Sequence, residues 1–125
     1  VVDDSIVRGT TCRTRLKSVR AAGAREIHMR VSCSPIMHPC FYGIDFPTRS
    51  ELVACTHSLE EIRKFLEVDS LGYLSLEGML SAVTGPKTNY CTACYSGQYP
   101  LPVGRETDKY ILERKFAGES RPEAR

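Results

Sequence analysis

Apolar residues recur along this chain with two different periods. Val1-Val2 run into the carboxylates Asp3-Asp4, the pattern of a short strand that ends in a polar loop. Cys12, Leu16 and Val19 then fall at i, i+4 and i+7, so one helix face is expected to turn all three inward. Ala21-Ala22-Gly23 closes that helix, with Gly23 as its C-terminal stop. From Glu26 to Cys33 the period becomes two. Ile27, Met29, Val31 and Cys33 lie on one side and His28, Arg30 and Ser32 on the other, which predicts a strand with one polar face. Strand, helix and strand at this spacing predict a βαβ unit with parallel strands and a right-handed crossover.

Ser34 to Pro47 carries Pro35, Pro39 and Pro47 and predicts an ordered, irregular loop. Thr48-Arg49-Ser50-Glu51 and Ser58-Leu59-Glu60-Glu61 both read as capping boxes, each opening a helix. Leu59, Ile62, Phe65 and Leu66 share a face of the second helix. Leu71 to Leu74 predicts a short strand. Ser75 caps a further helix that turns Leu76, Met79, Leu80 and Val83 inward, and Gly85-Pro86 breaks it. Beyond Pro102 the periodicity fades. Tyr110 to Phe116 fits one or two helical turns, and Gly118 to Arg125 reads as disordered. The expected class is α/β, with parallel strands and flanking helices over 1–84, an irregular cysteine-containing segment over 85–103, and a tail over 104–125.

Composition narrows the partners. A chain of 125 residues with 42% apolar content is one domain's worth, or a piece of one. A net charge of +2, from 17 basic and 15 acidic residues, argues against a nucleic-acid partner. No stretch approaches the roughly 20 apolar residues of a membrane span, so no membrane partner is expected. The charge is uneven, however. Between Ser5 and Arg25 stand Arg8, Arg13, Arg15, Lys17, Arg20 and Arg25 with no acid among them. Such a flank is either a solvated helix face or a field that draws in an anion. Arg8, inside the loop, is the favoured anion contact. The chain has no initiator methionine and opens inside a strand, which reads as a fragment of a longer protein.

The chemistry concentrates in Asp3-Asp4-Ser5-Ile6-Val7-Arg8-Gly9-Thr10-Thr11. A helix N-terminus and loop amides suit a phosphate, and threonine hydroxyls add donors. Adjacent carboxylates suit sugar hydroxyls or a hydrated magnesium ion. The plainer alternative is a strand-to-helix turn in which Asp3 and Asp4 are solvated and Thr10 or Thr11 caps the helix.

This stretch resembles the phosphoribosyl-pyrophosphate signature of type I phosphoribosyltransferases. The resemblance implies that Asp3 and Asp4 meet the ribose hydroxyls, directly or through magnesium, and that Ile6 to Thr11 wrap the 5-phosphate. Further landmarks follow in order: Ala22-Gly23-Ala24, Pro39 to Asp45, Ser70 to Gly78 and Cys91 to Gly97. Together they resemble the glutamine phosphoribosylpyrophosphate amidotransferase family, iron-sulfur type, over roughly Val1 to Pro100. The implied fold is the C-terminal part of a type I phosphoribosyltransferase domain. The implied activity of the whole enzyme is transfer of ammonia, released from glutamine in an absent glutaminase domain, to phosphoribosyl pyrophosphate. That step gives 5-phosphoribosylamine at the start of purine synthesis. The resemblance also implies a cytoplasmic homo-oligomer when full length, and a fragment inactive by itself. The alternatives are a non-catalytic phosphoribosyl-pyrophosphate-binding regulator and another type I phosphoribosyltransferase.

Of six cysteines, Cys12, Cys33 and Cys55 occupy apolar positions of expected elements and read as small core residues. Cys91-Thr92-Ala93-Cys94 lies in an expected loop and is ambiguous between zinc, an iron-sulfur cluster and a redox pair. The resemblance implies that Cys40, Cys91 and Cys94 are three ligands of a 4Fe-4S cluster whose fourth ligand lies upstream of this chain. His28, His38 and His57 are scattered and take no role.

Overall fold

The period-two stretch becomes the centre of the fold. In the computed structural model, which describes residues 1–103, strand β2 (His28–Val31) lies between β1 (Val2–Asp3) and β3 (Ser70–Tyr73). Both pairings are parallel, with Val2 opposite Arg30, Asp3 opposite Val31, and His28 to Val31 opposite Ser70 to Tyr73. Alternation along β2 buries Met29 and Val31 and exposes His28 and Arg30. The expected α/β class with a parallel sheet is what the chain forms.

Helix α1 (Thr10–Ala21) makes the crossover between β1 and β2. Cys12 and Leu16 pack under the sheet beside Ile27, Met29 and Val31. Val19 does not: it is 40% exposed. It faces β1, a two-residue edge strand with no further strand beyond it among the described residues, so nothing covers that side. In the last turn of the helix, Arg20 ties three pieces together. Its guanidinium reaches Asp69 at 2.6 Å and the Arg25 carbonyl at 2.7 Å. Asp69 in turn accepts the Ile27 N–H at 2.7 Å, and that bond, then Arg20, holds its carboxyl below the usual aspartate range.

The two capping boxes behave differently. Ser58 opens α3 (Leu59–Leu66): its hydroxyl accepts the Glu61 N–H, and Glu61 accepts the Ser58 N–H at 2.7 Å. Ile62 and Leu66 are buried. Leu59, expected on the same face, is 51% exposed because it sits at the first helical position, short of the core. The Thr48 box closes only a 3-10 turn, Arg49–Glu51. Leu52 then takes an extended conformation (φ −73°, ψ 111°) and is fully buried. The separate one-turn helix α2 (Val53–Thr56) follows, so the single helix expected there is split.

Helix α4 (Leu76–Ser81) is capped by Ser75, whose hydroxyl accepts the Gly78 N–H at 3.0 Å. Its apolar face is only half covered. Met79 touches the core cluster, while Leu76, Leu80 and Val83 stay partly exposed rather than inward. Helix α5 (Ala93–Ser96) carries the second cysteine segment back onto the 34–47 loop. The Met37 and His38 amides donate to the Cys94 carbonyl at 2.9 and 3.0 Å. The Tyr99 hydroxyl donates to the Pro39 carbonyl at 2.7 Å, and its ring packs against Phe41 and Tyr42. No helix among the described residues is long and apolar enough to cross a membrane. The expectations for Tyr110 to Phe116, for Gly118 to Arg125 and for a tail over 104–125 lie outside the described residues.

Candidate functional site

One cavity of about 270 Å³ is lined by Asp3 through Thr11, together with Cys12 and Arg15. The sequence-expected residues therefore meet around one space. They do so because β1 ends at Asp3 and α1 begins at Thr10, so the six residues between them must fold into a short bridge. Buried Ile6 pins the bridge to the core. The Val7 carbonyl accepts the Val53 N–H at 2.9 Å, which fixes its far side.

The carboxylates are arranged by their own neighbours. The Asp4 N–H donates to Asp3 Oδ1 at 3.1 Å, and the Ser5 hydroxyl donates to Asp4 Oδ1 at 3.0 Å. The Asp3 carbonyl accepts the Ser32 N–H at 2.9 Å. Neither carboxylate has a basic side chain paired with it among the described residues. Two uncompensated oxygen donors of this kind fit ribose hydroxyls or a hard, hydrated cation such as magnesium.

The opposite wall is a helix end without a cap. Gly9 is the N-cap residue and its φ is 78°, a left-handed conformation that glycine adopts without a Cβ penalty. A Cβ there would also stand 3.1 Å from the Phe65 ring. No side chain caps α1, and its first turn contains no acid. Thr10 and Thr11 are thus helical residues rather than caps. The first helical bond runs from the Arg13 N–H to the Gly9 carbonyl at 2.9 Å. The amides of Thr10, Thr11 and Cys12 precede it and have no acceptor within the helix. Free amides, the positive end of the helix dipole and two hydroxyls on one wall suit an anion chemically.

The basic flank resolves residue by residue. Arg8, the favoured anion contact, lines the cavity but is held by Glu51 at 2.8 Å. Glu51 also closes the Thr48 box. The Thr48 hydroxyl first, and then Arg8, keep its carboxyl below the usual glutamate range. Arg13 and Lys17 pair with Glu67, and Arg20 with Asp69. Arg15 lines the cavity and has no hydrogen-bond or ion-pair partner among the described residues. Sequence reasoning did not single it out. The signal was present, since Arg15 stands four residues after Thr11 and shares its helix face.

The cysteines divide as well. Cys12 and Cys33 are buried, and burial pushes both thiols up. Cys55 is only half-buried, because its thiol reaches out to donate to the Met37 carbonyl at 2.7 Å. Cys40 lines a groove formed by 39–41 and 43–49, and exposed Cys91 lines another formed by 88–92 and 98–100. Cys94 is half-buried beside Tyr95. Burial raises its thiol most, and Cys40 and Cys91 both add to the rise, so it feels both partners. Among the described residues, however, no three His, Cys, Asp or Glu side chains gather into a ready metal-holding group. The donor chemistry of Cys40, Cys91 and Cys94 suits a thiolate-bound metal.

No protein-family model matches the chain. It is 52% identical over 115 residues to the amidophosphoribosyltransferase of Synechococcus elongatus, covering 90% of this chain and 23% of that protein. It is 48% identical over 114 residues to the enzyme of the same name from Methanothermobacter thermautotrophicus, covering 91% and 24%. Among solved structures it superposes on a glutamine phosphoribosylpyrophosphate amidotransferase from B. subtilis, solved with ADP and GMP. There the TM-score is 0.76 at 47% identity, over 86% of this chain and 24% of that one. A structure described as the allosteric regulatory enzyme of purine biosynthesis gives the same TM-score at 46% identity. The chain spans about a quarter of the length of the relatives it matches.

Proposed function

We propose that this chain, homologous to amidophosphoribosyltransferases over about a quarter of their length, supplies the sugar-phosphate side of such an enzyme's transferase site. The substrate is phosphoribosyl pyrophosphate. Ammonia derived from glutamine attacks the anomeric carbon as pyrophosphate leaves, giving 5-phosphoribosylamine. The observation that carries this reading is the single cavity with uncompensated carboxylates on one wall and an uncapped helix N-terminus on the other.

Each group then has a task. The amides of Thr10, Thr11 and Cys12 and the two threonine hydroxyls hold the 5-phosphate. Asp3 and Asp4 hold the ribose hydroxyls and so fix the ring. Anchoring both ends aligns the reacting carbon and converts remote binding energy into orientation. The transition state is oxocarbenium-like, as in other displacements at an anomeric carbon, and the nearby carboxylates balance its positive charge. Magnesium, bound at Asp3 and Asp4, would screen the charge of the leaving pyrophosphate. No side chain of this chain is required as a nucleophile.

Cys40, Cys91 and Cys94 are proposed as ligands of an iron-sulfur cluster completed by a cysteine elsewhere in the full-length protein. The reaction moves no electrons, so the cluster's role would be to fasten the cysteine segment to the domain. Six free thiols suit a reducing, cytoplasmic setting.

The test uses the full-length protein carrying this segment. Asp3→Asn combined with Asp4→Asn should lower turnover with free ammonia and with glutamine alike, by roughly 100-fold or more. Ammonia-dependent synthesis that survives the double change would show that these carboxylates do not hold the sugar.

A further inference from the structure

The loop's own arginine is occupied, and the arginine that is free lies elsewhere. Arg8 is bound by Glu51, and Glu51 is also the closing residue of the Thr48 turn. Turning Arg8 to a ligand would break its pairing with Glu51. Arg13, Lys17 and Arg20 are paired with Glu67 and Asp69, on the side of α1 that meets α3. Arg15 alone of the flank both faces the cavity and lacks a partner among the described residues. It also lines a smaller crevice of about 110 Å³ with Val1, Val2, Asp3, Cys12, Leu16 and Val19.

We infer that Arg15 is a substrate-binding residue that clamps the 5-phosphate against the first turn of α1. The inference rests on the sugar-phosphate reading above and adds a contact to it. Side chains on a helix lean back toward its N-terminus, so Arg15 covers the turn that contains Thr11. A guanidinium presents paired N–H donors that match two phosphate oxygens at once. The amides would hold the phosphate from beneath and Arg15 from above. Exposed and unpaired, Arg15 contributes little to folding, so its removal separates binding from stability.

The experiment measures binding of ribose 5-phosphate and of inorganic pyrophosphate to the full-length protein by calorimetry, at low and high salt. The variants are Arg15→Gln, Arg15→Lys, and Arg25→Gln as a control in the connection between α1 and β2. Arg15→Gln should weaken ribose 5-phosphate roughly tenfold and leave pyrophosphate and the melting temperature unchanged. The gap should narrow at high salt, and Arg15→Lys should restore part of it. Arg25→Gln should bind both ligands as the parent does. If Arg15→Gln changes ribose 5-phosphate binding by no more than about twofold, or weakens pyrophosphate instead, the assignment is overturned. The Asp3→Asn, Asp4→Asn protein is measured alongside. If it loses ribose 5-phosphate while Arg15→Gln does not, only Arg15 is wrongly placed. If it keeps full affinity, the sugar-phosphate reading fails with it.

Discussion

The cavity at the end of β1 and the cysteine segment at 85–103 are built on opposite plans. The first draws nine consecutive residues, Asp3 to Thr11, into one lining by joining a strand to a helix. Its shape is settled by local chain geometry and by one buried anchor, Ile6. The second must bring Cys40 to Cys91 and Cys94 across half the described chain. It relies on docking contacts: the Met37 and His38 amides on Cys94, and Tyr99 on Pro39. Local closure leaves its ligand groups in place before any ligand arrives. Long-range docking has brought the backbones together without forming a ready metal-holding group among the described residues, and Cys91 is exposed. A bound metal would have to supply the remaining free energy of assembly, as metals do in small sites that are incomplete without them.

That contrast can be attacked in four places. The largest effect falls on the cysteines. In the full-length protein purified without oxygen, Cys91→Ser or Cys94→Ser should lose iron and sulfide, while Cys12→Ser and Cys33→Ser should keep both. Stoichiometric zinc without sulfide in the parent would end the cluster reading. Next is Leu66→Ala, which empties a fully buried position in the core beneath both regions. It should cost about 2–5 kcal/mol in denaturant unfolding, and both regions should weaken together. Gly9→Ala is more selective. A left-handed φ costs a non-glycine residue about 1–2 kcal/mol, and the added methyl crowds Phe65. Sugar-phosphate affinity should fall while metal content stays. Tyr99→Phe is the mirror case and the mildest. Losing its bond to the Pro39 carbonyl should cost about 0.5–1.5 kcal/mol, slow metal uptake, and leave sugar-phosphate binding alone.

What the sequence made legible follows the same division. Strand β2 and helix α1 could be read because their periods are local, and the cavity because its residues are contiguous. The pairing of Arg8 with Glu51 could not be read, since it spans 43 positions and no pattern in the loop announces it. Without it, Arg8 reads as the favoured anion contact and nothing sets Arg15 apart from the rest of the basic flank. Val19 and Leu59 were expected inside because periodicity reports a direction around a helix, not whether anything stands there. The Thr48 box was a true cap that opened the wrong element. Burial of Leu52, a tertiary demand, bent the chain out of the helix one turn later.

The bridge from β1 to α1 has a consequence for how this gene segment can change length. Its strand end, its buried anchor and its helix start are fixed at Asp3, Ile6 and Thr10, so it contains no spare position. Removing or adding one residue there would have to be absorbed between two fixed ends, so either Ile6 leaves its pocket or the N-terminus of α1 shifts away from the carboxylates. Substitutions in this stretch can be graded, but insertions and deletions should be all-or-none. The proline-bounded run from Ser34 to Pro47 leads into a turn with its own cap, so a length change there need not rephase any helix.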